Sequence, residues 1–145
     1  MSGGRFLAAA AVLALIGCAK PMTAADMPHP KAGLWARVSV ANGQTDRGQV
    51  CMAGMPFHVL GPACPGTTFR KTSDGAFETE NRCDQNGSVS DIKDRYTGDF
   101  RSSYLEDSTG TLAQPGKAPF STESRNTFTY IGPNCPAGLE PIDLD

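Results

Sequence analysis

The sequence predicts an all-β protein: an antiparallel meander of about seven strands, curled into a half-barrel or small barrel and stapled by disulfides. Three observations carry this. Apolar and polar residues alternate with period two over several runs. The pairs Asn42-Gly43, Asp74-Gly75 and Asn86-Gly87 punctuate those runs, and tight turns join antiparallel neighbours. Gly and Pro number 16 and 11 in 145 residues, which suits many turns and few helices.

In chain order, Leu34, Ala36, Val38 and Val40 fall on one face of a first strand, with Trp35, Arg37 and Ser39 on the other. Asn42-Gly43 turns the chain because both residues tolerate positive φ, and a second run ends in Gln49, Val50, Cys51 and Met52. The stretch 53–60 offers one helical turn at most, because Pro56 interrupts it. Asp74-Gly75 divides 68–73 from 76–83, and a two-residue turn there sets Lys71 opposite Glu78. Asn86-Gly87 leads into 88–95, and Gly98-Asp99 into 100–105. The stretch 106–119 reads as a long polar loop. Phe120, Thr122, Ser124, Asn126, Phe128 and Tyr130 share one face of the last run, which ends at Gly132-Pro133.

A chain of 15.3 kDa holds one domain. Thirteen basic and 15 acidic residues give a net charge of −2, which argues against a nucleic-acid partner. The N-terminus has the form of an export signal: Arg5, an apolar run over 6–16, then Gly17. The run is shorter than the ~20 residues a spanning helix needs. Leu15-Ile16-Gly17-Cys18 resembles a bacterial lipobox, in which the cysteine thiol takes a diacylglycerol and becomes the mature N-terminus. The alternative is cleavage near Ala25, after an A-x-A-like site, to a soluble periplasmic protein. With Ala at position 19, resemblance to Gram-negative sorting implies the outer membrane. Loss of 1–17 removes Arg5 and no acid, leaving a net charge of −3.

The organisation that follows is a signal peptide over 1–17, a lipidated Cys18 with a Pro-rich tether over 18–32, a β domain over 33–136 and an acidic extended tail over 137–145. Residues 19–32, read as a free tether, span up to about 45–50 Å.

With Cys18 assigned to lipid, Cys51, Cys64, Cys83 and Cys135 remain, and an even number in an exported chain points to disulfides. Three pairings are open. The favoured one joins Cys51 to Cys64, stapling a Gly/Pro-rich excursion, and Cys83 to Cys135, tying a central strand to the last. The chain has no C-x-x-C, and the paired spacings of a zinc site are missing.

Lys31-Ala32-Gly33-Leu34-Trp35, Val50-Cys51, Cys64, Cys83, Tyr96-Thr97-Gly98-Asp99-Phe100 and Ile131-Gly132-Pro133-Asn134-Cys135 together resemble the bacterial exported proteins grouped as domain of unknown function 3617. The resemblance covers about residues 31–135 and departs from the pattern after Cys51 and beyond Cys135. It implies an envelope protein of β character and carries no activity.

The candidate ligand-binding residues are Trp35, Phe128 and Tyr130, on the expectation that aromatic rings line the concave side of the curled sheet. A cavity bounded by some of Trp35, Val38, Phe77, Phe100 and Phe128 would hold a small apolar ligand. His29 lies in the tether and His58 in a loop, and no G-x-S-x-G elbow is present, so a Ser-His-Asp triad is not expected. Glu78, Glu80, Asp84, Asp91, Asp94 and Asp99 are spaced as solvated strand faces rather than as a carboxylate pair for glycoside hydrolysis. Neither a catalytic residue, nor a metal site, nor a cofactor is expected. The leading expectation is a non-enzymatic envelope lipoprotein, held in the membrane by acyl chains on Cys18 and engaging an envelope protein. A carrier of a small apolar ligand is the alternative, and an envelope hydrolase ranks third.

Overall fold

The computed structural model describes residues 20–54, 66–139 and 141–142. The expected signal peptide, Cys18, His58 and Cys64 lie outside them.

One sheet makes the fold. Seven strands are β1 (Gly33–Ala41), β2 (Gln44–Met52), β3 (Thr68–Lys71), β4 (Phe77–Gln85), β5 (Ser88–Gly98), β6 (Ser103–Ala113) and β7 (Phe120–Gly132). The two-residue β8 (Pro141–Ile142) runs parallel to β2 at Cys51 and Met52. The order across the sheet is β3-β4-β5-β6-β7-β1-β2-β8, and all contacts among the first seven strands are antiparallel. Strands β3 to β7 form a meander, and the β1–β2 hairpin adds to it along β7. The sheet is open, so it is a half-barrel and not a closed barrel.

Two turns form as their residues require. Asn42 and Gly43 have φ of 51° and 77°, and Ala41 faces Gln44. Asn86 and Gly87 have φ of 54° and 77°, and Gln85 faces Ser88. Positive φ at both central positions matches the twist of the flanking strands. The Asp74-Gly75 turn is longer than expected. The Thr72 N–H donates to Ala76 O at 2.8 Å, and the register sets Lys71 opposite Phe77 and Arg70 opposite Glu78.

The stretch read as a polar loop over 106–119 is largely strand β6. Its side chains are polar on both faces, so hydrophobic alternation has nothing to report there. It is a strand because β5 and β7 satisfy its backbone from both sides. Phe100 is not in that strand; it lies in the β5–β6 turn with φ of 57°.

The core occupies one end of one face. Trp35, Val50, Met52, Tyr96, Phe100, Tyr104 and Phe128 are buried together, with Phe69, Phe77 and Tyr130 packed against them. Trp35 meets Tyr104 and Tyr130 edge-on at 5.4 and 5.3 Å, and Tyr104 stacks on Phe128 at 4.4 Å. Such pairs add about 0.5–1.5 kcal/mol each beyond area burial. Val38 lies on the opposite face from Trp35, which corrects its inclusion in a common cavity with that residue.

The segment expected as a free tether joins this core from Met22 onward. Met27 is 2% exposed and Met22 packs beside it. Between them a 3-10 turn (Ala24–Asp26) is capped by Thr23. The Lys31 N–H donates to Phe100 O at 2.8 Å, and the Trp35 indole N–H to Lys31 O at 2.8 Å. Proline content suggested a linker; two methionines and these backbone bonds dock it.

Cys51 bonds to Cys135, with Cα atoms 5.8 Å apart, and not to Cys64. The end of β2 and the end of β7 both flank the start of β1, where Leu34 faces Cys51 and Gly132. Cys83 sits at the other end of the sheet beside the β4–β5 turn, so it cannot reach Cys135. Cys83 is itself disulfide-bonded.

Candidate functional site

Strand alternation divides the sheet into two chemically distinct faces. On the core face, the aromatic end gives way to a polar row: Tyr96, Glu106, Asn126 and Ser39 lie side by side in register. Glu106 is half-buried there. Burial, and then the Asp94 charge, push its carboxyl above the usual range, against hydrogen bonds from Asn126 and Tyr96. Asn126 Nδ2 donates to Glu106 Oε2 at 3.1 Å. Asp94 accepts from the Thr79 hydroxyl at 3.2 Å. Burial also drives the Tyr96 phenol far above its ordinary pKa, so it stays a neutral donor. The sequence reading missed Glu106 because it placed that residue in a loop. The signal was its two-residue spacing from Tyr104.

The other face carries a groove. Three adjoining depressions of about 320, 900 and 480 Å³ run over β3 to β7 and reach the β1–β2 turn, and Thr109 of β6 borders all three. The floor of the groove is a set of cross-strand ion pairs. Lys93 meets Glu80 at 3.0 Å, Arg82 meets Asp91 at 3.1 Å and Arg125 meets Asp107 at 2.6 Å. Glu78 joins Arg95 at 2.6 Å and also pairs with Arg70. Burial raises the Glu78 carboxyl, but hydrogen bonds from Arg95 and Arg70 outweigh it and hold the group below its usual range. Val40, 42% exposed, closes one end of the groove.

These and two further contacts account for five of the six clustered acids, Asp84 excepted. Glu78, Glu80 and Asp91 each face a cation on a neighbouring strand, Asp94 serves the core face, and Asp99 ties the β5–β6 turn. Asp99 Oδ1 accepts the N–H groups of Arg101, Ser102 and Ser103 at 2.8, 2.7 and 3.0 Å. The Ser102 hydroxyl, followed by those amides, holds the Asp99 carboxyl far below its usual range.

The residues expected to bind a ligand are placed otherwise. Trp35 is 0% exposed and Phe128 6%, and rings fill the space around both. Tyr130 is half-buried, with Lys31 Nζ 4.1 Å from its ring centre. None of the three borders the groove, which is lined from β3 to β7 and from the end of β1 with its turn. His29 lies away from it, its ring 3.3 Å from Gly54 O. Among the described residues no group of three or more His, Cys, Asp or Glu is placed to hold a metal ion.

The groove presents carboxylates and guanidinium or ammonium groups in alternation, with the Thr109, Thr111 and Ser121 hydroxyls between them. Exposed pairs of this kind are worth about 0–1 kcal/mol each, so a partner's own charges can exchange with them at little cost. Comparison with known protein families, with curated proteins and with solved structures finds no match for this chain.

Proposed function

We propose that this chain is a cell-envelope lipoprotein, anchored by acyl chains on Cys18, whose β domain is a non-enzymatic interaction module. The ion-pair groove around Thr109 is its docking surface, and the partner is an envelope protein with a polar, mixed-charge segment. The single observation that carries this is the division of the two faces. One end of the core face is filled by its own aromatic rings, while the opposite face bears adjoining polar depressions. The lipobox-like Leu15-Ile16-Gly17-Cys18 and the resemblance to the domain of unknown function 3617 proteins support the envelope address. Outer-membrane residence is part of the same proposal.

A photo-crosslinking residue at Thr109, read in the native envelope, tests it. The expected result is one dominant adduct that a probe at Gln49 on β2 does not give and that Arg125→Glu abolishes. Identical profiles from Thr109 and Gln49, or a dominant adduct indifferent to Arg125→Glu, would overturn the groove as the docking surface.

A further inference from the structure

Ten of the twelve described cations fall into two groups; Arg47, in the middle of β2, and Lys117, in the β6–β7 turn, belong to neither. Arg37, Arg70, Arg82, Lys93, Arg95 and Arg125 are tied into ion pairs along the sheet. Lys20, Lys31, Lys71 and Arg101 are in none of those pairs, and all four lie at the core end. Lys31 rests over Tyr130, and Lys71 has its ammonium 5.2 Å from the Phe77 ring centre. Phe77 and Phe100 are in edge contact at 6.1 Å, and Arg101 follows Phe100, whose carbonyl accepts from Lys31. A shallow groove brings His29, Lys31 and Arg101 together. Lys20 precedes Met22, which packs on the same core, and its charge is felt by Asp26.

The described carboxylates at this end that lie nearest these cations are occupied. Asp26 accepts the Thr23 N–H and hydroxyl at 2.8 Å each, Asp99 accepts three backbone N–H groups, and Asp74 pairs with Arg95. Among the described residues, four cations at this end therefore lie beside two carboxylates, Asp26 and Asp99, that are already acceptors; Glu140, Asp143 and Asp145 of the tail lie outside the described residues. The chain as a whole is acidic.

Where the N-terminus leaves the domain matters as much. Residues from Met22 onward are docked, so a link of only four residues, 18–21, separates position 18 from the docked segment. At ~3.3–3.6 Å per residue that link spans at most ~14 Å. The Debye length near physiological salt is ~8 Å, so this link holds the domain within about two Debye lengths of the surface, where a 45–50 Å tether would allow about six.

We propose that the core end of the sheet, through Lys20, Lys31, Lys71 and Arg101, lies against an anionic bilayer surface and directs the groove away from it. The occupant of this end is a layer of anionic lipid headgroups. This rests on the reading of Cys18 as the lipidated residue.

The test uses the full chain extracted in detergent. Intact mass first reads acylation of Cys18. The protein is then placed in vesicles of phosphatidylethanolamine with phosphatidylglycerol, or of phosphatidylcholine alone, and its lysines are labelled with an impermeant amine reagent. Lys31 and Lys71 should label at least threefold more slowly on the anionic vesicles, while Lys117, in the β6–β7 turn at the other end, labels equally on both. Lys71→Glu with Arg101→Glu should return the Lys31 ratio to about one, with the far-ultraviolet spectrum reporting that the sheet is retained. Equal labelling of Lys31 and Lys117 on both vesicles, with Cys18 acylated, would overturn the orientation. A chain without acyl groups would overturn the anchor reading instead. Its co-sedimentation with the anionic vesicles then judges the basic end alone: salt-sensitive binding supports it, and no binding refutes it.

Discussion

Replacing Trp35 probes whether the docked N-terminal segment and the aromatic end form one unit. Trp35 is fully buried, touches Tyr104 and Tyr130 edge-on, and donates its indole N–H to Lys31 O. Trp35→Ala removes the whole side chain from a packed site and should cost about 3–5 kcal/mol. Trp35→Phe keeps a ring, so its cost is smaller. It loses one hydrogen bond, worth about 1 kcal/mol, and leaves a small void worth about another. Urea unfolding followed by circular dichroism is the assay, because the substitution removes the chain's only tryptophan fluorophore. With a slope of about 1.5 kcal/mol/M, the alanine variant's midpoint should fall by about 2–3 M and the phenylalanine variant's by about 1–1.5 M. Amide exchange at Lys31 should accelerate in both, since that residue's carbonyl holds the segment to Trp35. A midpoint change under about 0.5 M for Trp35→Ala would refute the packing argument. Unchanged exchange at Lys31 would refute the coupling.

Three further outcomes follow from the same geometry. Removing the disulfide with Cys51→Ala and Cys135→Ala opens a link between residues 84 apart and should cost about 4–5 kcal/mol on the chain-entropy account, read by urea unfolding; a peptide map should recover 51 joined to 135. Gly98→Ala would set a Cβ 2.5 Å from Ser103 O and 2.6 Å from Tyr104 Cα at φ +134°, so it should cost at least about 2 kcal/mol or prevent folding, and a near-neutral midpoint would contradict the turn geometry. Glu106 binds its proton more tightly folded than unfolded. Its contribution is therefore fully present below the unfolded carboxyl pKa and is lost as pH rises through the raised folded value. Glu106→Gln should flatten that decline in a series of unfolding curves from pH 4 to pH 8, and parallel curves for the two proteins would refute its burial.

The legible parts of this fold are those written in local chemistry. Asn42-Gly43 and Asn86-Gly87 set their own registers, and the Phe128–Tyr130 alternation named the core face of β7. The illegible parts depend on neighbours far along the chain. Strand β6 buries only Tyr104, so its amino acids resemble those of a loop until β5 and β7 supply its hydrogen bonds. The Cys51–Cys135 link depends on β7 returning beside β1, a topology that the order of strands in the sequence leaves open. Three prolines give the docked segment the composition of a linker, and Met22 and Met27 alone do not signal otherwise. The groove was missed for a related reason. Its charged residues read as solvated faces one strand at a time, and a depression lined from several strands belongs to the sheet and not to any one of them.

The sheet's open edges bear on how such a protein meets a partner. An open sheet presents unpaired backbone at both ends, which invites strand addition. Here β3 is only four residues long and carries Arg70 and Lys71. Strand β2 exposes Gln44 through Gln49, with Asp46, Arg47 and Gly48 at its centre. Short length, charge and a central glycine all weaken edge pairing. The aromatic end is closed by its own packing and by the N-terminal segment. The face over β3 to β7 remains, and it is polar without being uniformly charged. Strand β6 sits at its centre, and its outward side chains beyond Leu105 are Asp107, Thr109 and Thr111. A strand that buries so little apolar surface contributes little to stability, so retaining polar groups on both its faces makes sense if one of those faces is used. Substituting Thr109 with Val, a β-former of similar size, should then hold or raise stability while weakening partner capture. A stability loss with capture intact would instead assign Thr109 to the fold.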